Sequence, residues 1–388
     1  MYSFDKITDR RGTNCEKYDA LTEVFGREEV IPLWVADSDF ACPPFVVDAV
    51  RRRAEHPIYG YTFRGAEFSE AVRGWVDQRN GWSVEPQWIG FSPNVVASIS
   101  MAIRAVTEPG DGVVIQPPVY APFARMTRMN ERKVLNNPLR WNGERYEIDF
   151  ADFEAQIARA KAFLLCNPHN PTGRVFTREE LQQMADICLR HKVYILSDEI
   201  HSDLILAGHK HTHIASLSPE IAQRTLTFIS PTKTFNLAGL SSSVTLIPDE
   251  ALRRRFERQI ALSNASNGNI FGAVALVAAY SEGDRWLDAL RVQLEKNARF
   301  IVESLKERIP SVKTYLPEGT YLMWLDFREW GMEQEALFRL LVDAGLGLSN
   351  GTDFGGEGTG FMRLNIATSL DVLREAIDRL KQADLQRL

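Results

Sequence analysis

Lys233 is the residue of this chain best suited to covalent chemistry. It directly follows the apolar run at 225–229, which predicts a buried strand. Burying an ammonium group is costly, so its pKa falls and the neutral amine can condense with an aldehyde. Ser230 and Thr232 flank the lysine, and small polar groups in such a turn can hold a phosphate. The alternative is a lysine at a strand end that simply reaches solvent.

Asp198 ends a second continuous apolar run, at 193–197, of the kind that a parallel strand covered on both faces requires. The carboxyl ends of such strands line the ligand crevice of open α/β sheets. A site for pyridoxal 5′-phosphate (PLP) needs both a Schiff-base lysine and a carboxylate that keeps the pyridine nitrogen protonated. The alternative for Asp198 is a cap on the following loop.

Asn170 follows a third apolar run, at 163–166, where the chain enters a turn fixed by Pro171 and Gly173. Its amide can donate a hydrogen bond to the phenolic oxygen of a pyridoxal ring. The three runs therefore bring an amide, a carboxylate and an amine to strand ends.

These motifs resemble a known family in their order and spacing. Asn170, Asp198 and Lys233 resemble the fold-type I PLP enzymes of the class I/II aminotransferase superfamily. The motifs at 32–40, 59–61, 118–120, 197–201 and 363–365 resemble more closely the MalY/PatB family of cystathionine β-lyases. The resemblance runs from about residue 3 to about residue 385.

The resemblance implies a catalytic set and its cofactor. Lys233 would form the Schiff base with PLP, Asp198 would pair with the pyridine nitrogen, and Asn170 would contact the phenolic oxygen. Tyr120 would stack on the ring, a task that suits an apolar body with a polar edge. A tyrosine at the edge of the core is the alternative for Tyr120.

The resemblance also implies a substrate site and a dimer. Arg363 would hold the substrate's α-carboxylate through two parallel hydrogen bonds, which lysine cannot reproduce. A surface salt bridge is the alternative for Arg363, although its segment reads as a mostly buried strand. Ala36 and Asn170 would also line the substrate site. Tyr61 resembles the tyrosine that reaches the phosphate of the neighbouring subunit, so the active site would require a homodimer.

The phosphate grip departs from the pattern of many aminotransferases. Asn94 replaces the small residue of the family loop and is expected to act as an N-cap for a helix at 95–106, whose first residues, Val95 and Val96, would offer N–H groups to the phosphate. His201 and Ser241 replace a tyrosine and an arginine. His201 is either a second partner of the phenolic oxygen or a polar loop residue. Ser38, where a larger apolar residue is usual, is expected to reshape the substrate pocket.

The remaining elements must bring these residues to one edge. Strand-like and helical runs alternate from about residue 45 to 285, which predicts an α/β fold with a mostly parallel, doubly wound sheet between helices. The resemblance implies seven strands. Thr177 and Glu180 form a capping box that starts the helix between the strands of Asn170 and Asp198. Its right-handed crossover brings both strand ends to the same edge.

Length and pattern together predict two domains. The 388 residues exceed what one hydrophobic core usually supports. From about residue 286 the pattern changes to a long helix, short strands and a glycine-rich loop at 350–360, typical of a smaller α+β domain. We expect a large PLP-binding domain at 46–285 and a small domain formed by 1–45 and 286–388.

Composition excludes several classes of protein. The formal net charge of −6 argues against a broad nucleic-acid footprint. No signal-peptide pattern and no 18-residue apolar stretch appears, so neither secretion nor a membrane span is expected. The four cysteines have no metal spacing and are expected to be reduced thiols in a cytoplasmic protein. His209, His211 and His213 are expected to lie on an exposed loop rather than to bind zinc, and no metal site is predicted.

Three functions fit this interpretation. The favoured one is a C–S β-lyase that converts cystathionine or a related S-substituted cysteine to pyruvate, ammonia and a thiol. A PLP-dependent aminotransferase is the second, because the same lysine, aspartate and arginine serve both reactions. A PLP-binding regulator that contacts a transcription factor is the third. Retention of Lys233, Asp198 and Arg363 argues against a purely regulatory role.

Overall fold

The computed structural model describes residues 2–387, and these form fifteen α-helices and fourteen strands. The helices, in chain order, are α1 Glu16–Asp19, α2 Leu21–Phe25, α3 Pro44–Glu55, α4 Ala66–Asn80, α5 Val95–Val106, α6 Pro122–Met129, α7 Phe150–Ile157, α8 Arg178–Arg190, α9 Pro219–Ala222, α10 Pro231–Thr234, α11 Glu250–Leu262, α12 Ile270–Glu282, α13 Asp284–Arg308, α14 Gln334–Asp343 and α15 Leu370–Gln386. The strands are β1 Ile31–Pro32, β2 Ile89–Ser92, β3 Gly112–Ile115, β4 Lys133–Asn136, β5 Arg140–Trp141, β6 Tyr146–Glu147, β7 Ala162–Cys166, β8 Tyr194–Asp198, β9 Thr225–Ile229, β10 Ser243–Leu246, β11 Leu322–Asp326, β12 Leu346–Gly347, β13 Ser349–Asn350 and β14 Phe361–Asn365.

A seven-stranded sheet in the order β2-β10-β9-β8-β7-β3-β4 forms the centre of the molecule. The pairs from β9 to β4 are parallel, which confirms the predicted mostly parallel α/β sheet. β10 runs antiparallel to both of its neighbours. Every residue of β7 and β9 is buried, as expected of strands with helices on both faces.

The sheet register aligns the strand ends that matter for the site. Cys166 of β7 pairs with Asp198 of β8, and Asp198 pairs with Phe228 of β9. The crossover helix α8 begins at the predicted capping box, in which Thr177 and Glu180 each bond to the other's backbone N–H. The segments after β7, β8 and β9 therefore leave the sheet at one edge.

A smaller antiparallel sheet, β11-β14-β13, carries Arg363 on its central strand. The N-terminal segment joins this part of the chain, because β1 pairs in parallel with β12. The predicted strand near 321–327 and the strand of Arg363 are confirmed. The glycine-rich segment expected to be a loop contains two short 3-10 helices, Gly351–Phe354 and Gly356–Gly358. None of the helices at positions 2–387 has the length and apolar character needed to cross a membrane.

The prediction that the alternating histidines lie on an exposed loop is wrong for two of them. His211 and His213 are buried, and each ring places one nitrogen against Glu199 Oε2, His211 Nε2 at 2.8 Å. Although burial disfavours the charge, the two histidines hold the pKa of Glu199 at about 2. One potential ligand atom from each of Glu199, His211 and His213 lies within 4.8 Å of the other two. The distances here are those of hydrogen bonds between one carboxylate and two imidazoles.

Candidate active site

A cavity of about 190 Å³ opens at the edge of the sheet where β7, β8 and β9 end. Nearly all of the predicted cofactor and substrate residues lie on its wall: Ala36, Val95, Val96, Tyr120, Asn170, Asp198, His201, Ser230, Thr232 and Lys233. Residues from at least five separate segments thus converge on one space. Arg363 joins this group through a direct contact with Asn170.

Lys233 lies on the single-turn helix α10 and not at the strand-to-loop turn that its sequence suggested. Ser230 caps this helix by accepting a hydrogen bond from the Thr232 amide, and Pro231 occupies the first helical position. Lys233 Nζ donates a hydrogen bond to the Ala36 carbonyl at 2.7 Å. Burial lowers the pKa of Lys233 to about 8, although the negative charge of Asp37 opposes the shift. A neutral, nucleophilic amine is therefore accessible near physiological pH.

Asp198 is a buried carboxyl group without a charged partner of its own. Its Oδ1 accepts a hydrogen bond from the Ile200 amide at 3.1 Å. Within the described part of the chain, no basic side chain forms an ion pair with it. Burial raises the pKa of Asp198 to about 7, and the nearby charge of Lys233 offsets only part of that shift. A cationic ligand in the cavity would favour the ionised carboxylate.

Asn170 and Arg363 form a hydrogen-bonded pair at the side of the cavity. Arg363 Nη1 donates to Asn170 Oδ1 at 3.1 Å, and Nη2 donates to the Trp34 carbonyl at 2.6 Å and to Ser349 Oγ at 3.0 Å. Because Asn170 Oδ1 is used in this way, its amide N–H groups are left to donate elsewhere.

Arg363 itself is a buried cation that lacks a carboxylate partner among residues 2–387. Burial lowers the pKa of Arg363 to about 10, so its guanidinium stays charged at neutral pH. Its Nε is buried and makes no hydrogen bond within this part of the chain. The arrangement suits a carboxylate-bearing ligand.

Tyr120 lines the cavity, and its backbone is tied to the turn that carries Asn170. Its amide donates to the Asn170 carbonyl at 3.0 Å. The ring packs edge-on against Phe123, with 6.1 Å between the centroids. Burial raises the pKa of the Tyr120 hydroxyl, so the phenol remains protonated at neutral pH.

The start of α5 and a group of hydroxyls form another part of the cavity wall. Asn94 caps α5 by accepting a hydrogen bond from the Ala97 amide at 2.8 Å, as predicted. The first N–H groups of a helix have no partner within it, and they carry a partial positive charge. Ser241 and Ser242 also line the cavity, and Ser242 Oγ is buried without a hydrogen-bond partner among the described residues. This combination is suited to an anion.

His201 lies in the turn after β8, where it is buried and lines the cavity. Its Nδ1 makes no hydrogen bond within residues 2–387. Burial, together with the charges of Lys233 and Arg363, lowers the pKa of His201 well below its ordinary value, so the imidazole is neutral. Its ring meets that of Tyr321 edge-on at 5.8 Å.

Several wall residues were not anticipated from the sequence. Cys166, Ile200, Ala238 and Ser242 all line the cavity. The sheet register supplies the missing signal for Cys166, which pairs with Asp198 and therefore ends its strand at the same level. The others are small or apolar residues in the segments that connect the strands, and their types alone do not distinguish them.

Tyr61 is the one predicted site residue that lies away from the cavity in the single chain. It is 92% exposed, and Phe63 beside it is 89% exposed. Ile58 and Tyr59 in the same segment are also exposed. An apolar segment presented to solvent in this way is typical of a surface that another chain covers.

The residues of the cavity fit PLP on chemical grounds. The unpaired carboxyl of Asp198 matches a protonated pyridine nitrogen, and the start of α5 with its neighbouring hydroxyls matches a phosphate. The unpartnered nitrogen of His201 and the free amide of Asn170 offer hydrogen bonds to a polar ring substituent. Lys233 supplies an amine of lowered pKa beside them.

Comparisons with known proteins agree with this chemistry. Residues 28–380 match the family model described as aminotransferase class I and II. The chain is 44% identical to cystathionine beta-lyase PatB of Bacillus subtilis (strain 168), over 98% of this chain and 99% of that protein. It is 32% identical to protein MalY of Escherichia coli (strain K12), over 99% of both.

A solved structure gives the same result for the fold. The crystal structure of cystalysin from Treponema denticola, which contains a pyridoxal 5′-phosphate cofactor, superposes with a TM-score of 0.97 at 34% identity. The match covers 100% of this chain and 99% of that one. The fold-type I architecture and the PLP dependence expected from the sequence are thereby confirmed. The chain belongs to the aminotransferase class I and II family and, within it, to the MalY/PatB group.

Proposed function

We propose that this protein is a PLP-dependent C–S β-lyase that cleaves the Cβ–S bond of cystathionine or a related S-substituted L-cysteine. The products are pyruvate, ammonia and a thiol. The observation that carries the choice of reaction is the full-length match at 44% identity to a protein named cystathionine beta-lyase. The cavity supports the cofactor and the amino-acid substrate, since it pairs a reactive amine with a carboxylate-binding arginine.

In this proposal each wall of the cavity holds one part of the cofactor. Lys233 binds it covalently, Asp198 keeps the pyridine nitrogen protonated, and Asn170 donates its free amide to the phenolic oxygen. His201, which is neutral and has an unpartnered nitrogen, is a second partner for that oxygen. Tyr120 stacks on the ring.

The phosphate is held by the N–H groups of Val95 and Val96 at the start of α5 and by the hydroxyl of Thr232, which Ser230 positions. Those two hydroxyls lie 2.8 Å apart, and Ser230 also donates to the Ser242 carbonyl at 2.7 Å. The proposed grip uses helix N–H groups and hydroxyls, because Ser241 stands where many aminotransferases have an arginine. Helix N-termini favour anions for the same electrostatic reason.

The substrate is oriented by the arginine and activated by the lysine. Arg363 binds the α-carboxylate, and Asn170 and Ala36 lie beside it. Once the substrate's amino group has replaced it on the cofactor, Lys233 is a neutral amine and takes the Cα proton: the Cα–H bond breaks, an N–H bond forms at Nζ, and the electron pair stays on carbon. PLP, when bound, supplies the electron sink for that pair. The low pKa of Lys233 is what makes this amine a base near neutral pH.

We further propose that the enzyme is a homodimer in which Tyr61 contacts the phosphate of the neighbouring subunit. The exposed apolar segment around Tyr61 supports this assignment. The division into a large domain at 46–285 and a small one at 1–45 with 286–388 is also our proposal, and β1 pairing with β12 supports it. A cytoplasmic location is consistent with the four free thiols.

The form of the cofactor after turnover tests the reaction class. A β-lyase returns PLP unchanged after every cycle, so its visible spectrum should persist during incubation with L-cystathionine and no keto acid. An aminotransferase would convert the cofactor to pyridoxamine phosphate and stop after one turnover. Accumulation of that form would reject the lyase.

A further inference from the structure

Residues 34–37, which we call the carbonyl strap, connect the substrate arginine to the reactive lysine. Two of its backbone carbonyls accept hydrogen bonds from these side chains. The Trp34 carbonyl accepts one from Arg363 Nη2 at 2.6 Å, and the Ala36 carbonyl accepts one from Lys233 Nζ at 2.7 Å. The position of the lysine amine therefore depends on how firmly this strap is held.

Two side chains outside the cavity wall hold the strap. Tyr321 donates its hydroxyl to the Ala36 carbonyl at 2.9 Å. Asn365 donates its side-chain amide to the carbonyls of Val35 and Asp37, each at 2.6 Å. The carbonyl that receives the lysine is thus fixed directly by one side chain and on both flanks by another.

Both donors are buried, which protects these hydrogen bonds from competition by water. Tyr321 is 1% exposed and Asn365 is fully buried, so neither donor can exchange its partner for bulk water. A carbonyl oxygen has two lone pairs. The tyrosine hydroxyl takes one, and the lysine amine is directed to the other.

The elements that carry the two residues are themselves rigid. Tyr321 directly precedes β11, and Asn365 ends β14, which pairs with β11 along its whole length. Asn365 Oδ1 accepts a hydrogen bond from the Ala367 amide at 2.7 Å, which orients its amide toward the strap. The small sheet therefore serves as the fixed base against which the strap is positioned.

We propose that Tyr321 and Asn365 are positioning residues for Lys233, acting through the Ala36 carbonyl. When the Lys233 amine donates one N–H to this carbonyl, its lone pair must point away from the carbonyl. Because the carbonyl is held in place, the lone pair is restricted to a narrow range of directions. When Lys233 takes the Cα proton, the resulting ammonium keeps the bond to Ala36, and hydrogen bonds from charged donors are stronger. The carbonyl strap thus orients the Lys233 amine and stabilises the positive charge that Lys233 gains. This inference rests on the proposed role of Lys233.

The test uses Tyr321→Phe, which removes the hydroxyl and keeps the ring. Formation of the covalent lysine link is followed by visible absorbance as PLP is added to the full-length chain after cofactor removal. Loss of one aiming hydrogen bond should slow this capture by about two- to tenfold. Binding of 4′-deoxypyridoxine phosphate, which has no aldehyde, should be unchanged because it needs no lysine alignment.

Tyr315→Phe is the matched control. Tyr315 is another inward-facing tyrosine, and its hydroxyl donates to a backbone carbonyl, that of Thr172, at 2.8 Å. Its variant should capture PLP at the wild-type rate. In the PLP-loaded enzyme, Tyr321→Phe should also lower kcat and raise the isotope effect with α-deuterated substrate, while KM stays the same. Asn365→Ala should repeat this pattern and carries the test if Tyr321→Phe does not fold.

The outcomes separate the two claims. Wild-type protein that forms no covalent link would reject the proposed function itself. Capture by Tyr321→Phe at the wild-type rate would reject the positioning role. Equal slowing in Tyr315→Phe, or equal weakening of the deoxy analogue, would also reject it, because both indicate general damage to the fold.

Discussion

Burial gives the three central ionisable side chains their chemistry. It lowers the pKa of Lys233 to about 8, raises that of Asp198 to about 7, and lowers that of Arg363 to about 10. The lysine becomes a usable base, whereas the arginine keeps its charge for binding. The aspartate ionises fully only beside a cation, so ligand charge and protein charge are complementary.

Lys233 gives a pH-dependent prediction. PLP capture needs the neutral amine, which predominates above the pKa, so the capture rate should rise with pH and level off above about 8. A lysine at its ordinary pKa of 10.5 would show no plateau there. Stopped-flow absorbance measures the profile, and Lys233→Ala, which should form no borohydride-reducible link, is the control. A rate still rising at pH 10 would contradict the assigned lowering.

Arg363 gives a prediction about substrate binding. Arg363→Ala should raise KM by about 30-fold or more, since losing one partner of a buried charge pair costs about 2 kcal/mol or more. Arg363→Lys retains a charge but lacks the planar guanidinium, so its KM should lie between those of the wild type and Arg363→Ala. Steady-state kinetics provides both values. Arg132→Lys is the control and should leave KM unchanged, because that buried arginine donates a hydrogen bond to Thr107 away from the cavity. An unchanged KM in Arg363→Ala would show that Arg363 does not bind the carboxylate.

At the scale of elements, short connections at strand ends set the site geometry. α10 presents Lys233 within one turn of β9, and Thr234 on the same helix donates to Asp203 at 2.7 Å, which ties it to the segment after β8. α5 directs its N-terminus into the same cavity. The cofactor residues are therefore held by elements that are anchored to neighbouring strands.

Asn94 gives a prediction at this scale. Asn94→Ala removes the cap of α5, which should cost about 1 kcal/mol of stability and weaken PLP retention as well, because the phosphate is proposed to lie there. Ser369→Ala removes the cap of α15, which does not line the cavity, and should lower only stability. Thermal unfolding and the rate of cofactor loss on dilution distinguish them. Equal cofactor loss in both variants would exclude a special role for α5.

At the scale of the whole molecule, the exposed segment with Tyr61 predicts shared active sites. A Tyr61→Ala chain and a Lys233→Ala chain should each be inactive as homodimers. Co-expressed, they should form hybrid dimers with one complete site, because an intact lysine then meets an intact tyrosine from the other chain. The activity of purified hybrids, carrying two different affinity tags, measures this. A hybrid as inactive as its parents would show that Tyr61 does not act across subunits.

Much of the fold and the main site followed from the sequence for a physical reason. Strands buried on both faces must be continuous apolar runs, so β7, β8 and β9 were visible, together with the residues that end them. The capping box of α8 and the cap of α5 are local signals between residues three positions apart. Such features depend on a few neighbouring residues and can therefore be predicted.

The contacts that the sequence did not reveal are those made over long separations. His211 and His213 lie in a polar stretch that looks exposed, and their partner Glu199 lies on another segment. Tyr321 meets Ala36 across 285 positions, with no local pattern to indicate it. The helical turn of Lys233 was missed because four residues are too few for a helical period to appear.

The stoichiometry of products from L-cystathionine, measured with purified, PLP-loaded protein and no keto acid, decides between β-elimination and transamination. The proposed β-lyase should release pyruvate, ammonia and free thiol in equal amounts over many turnovers. A single turnover without thiol release, ending with pyridoxamine phosphate on the protein, would reject the β-lyase and identify an aminotransferase.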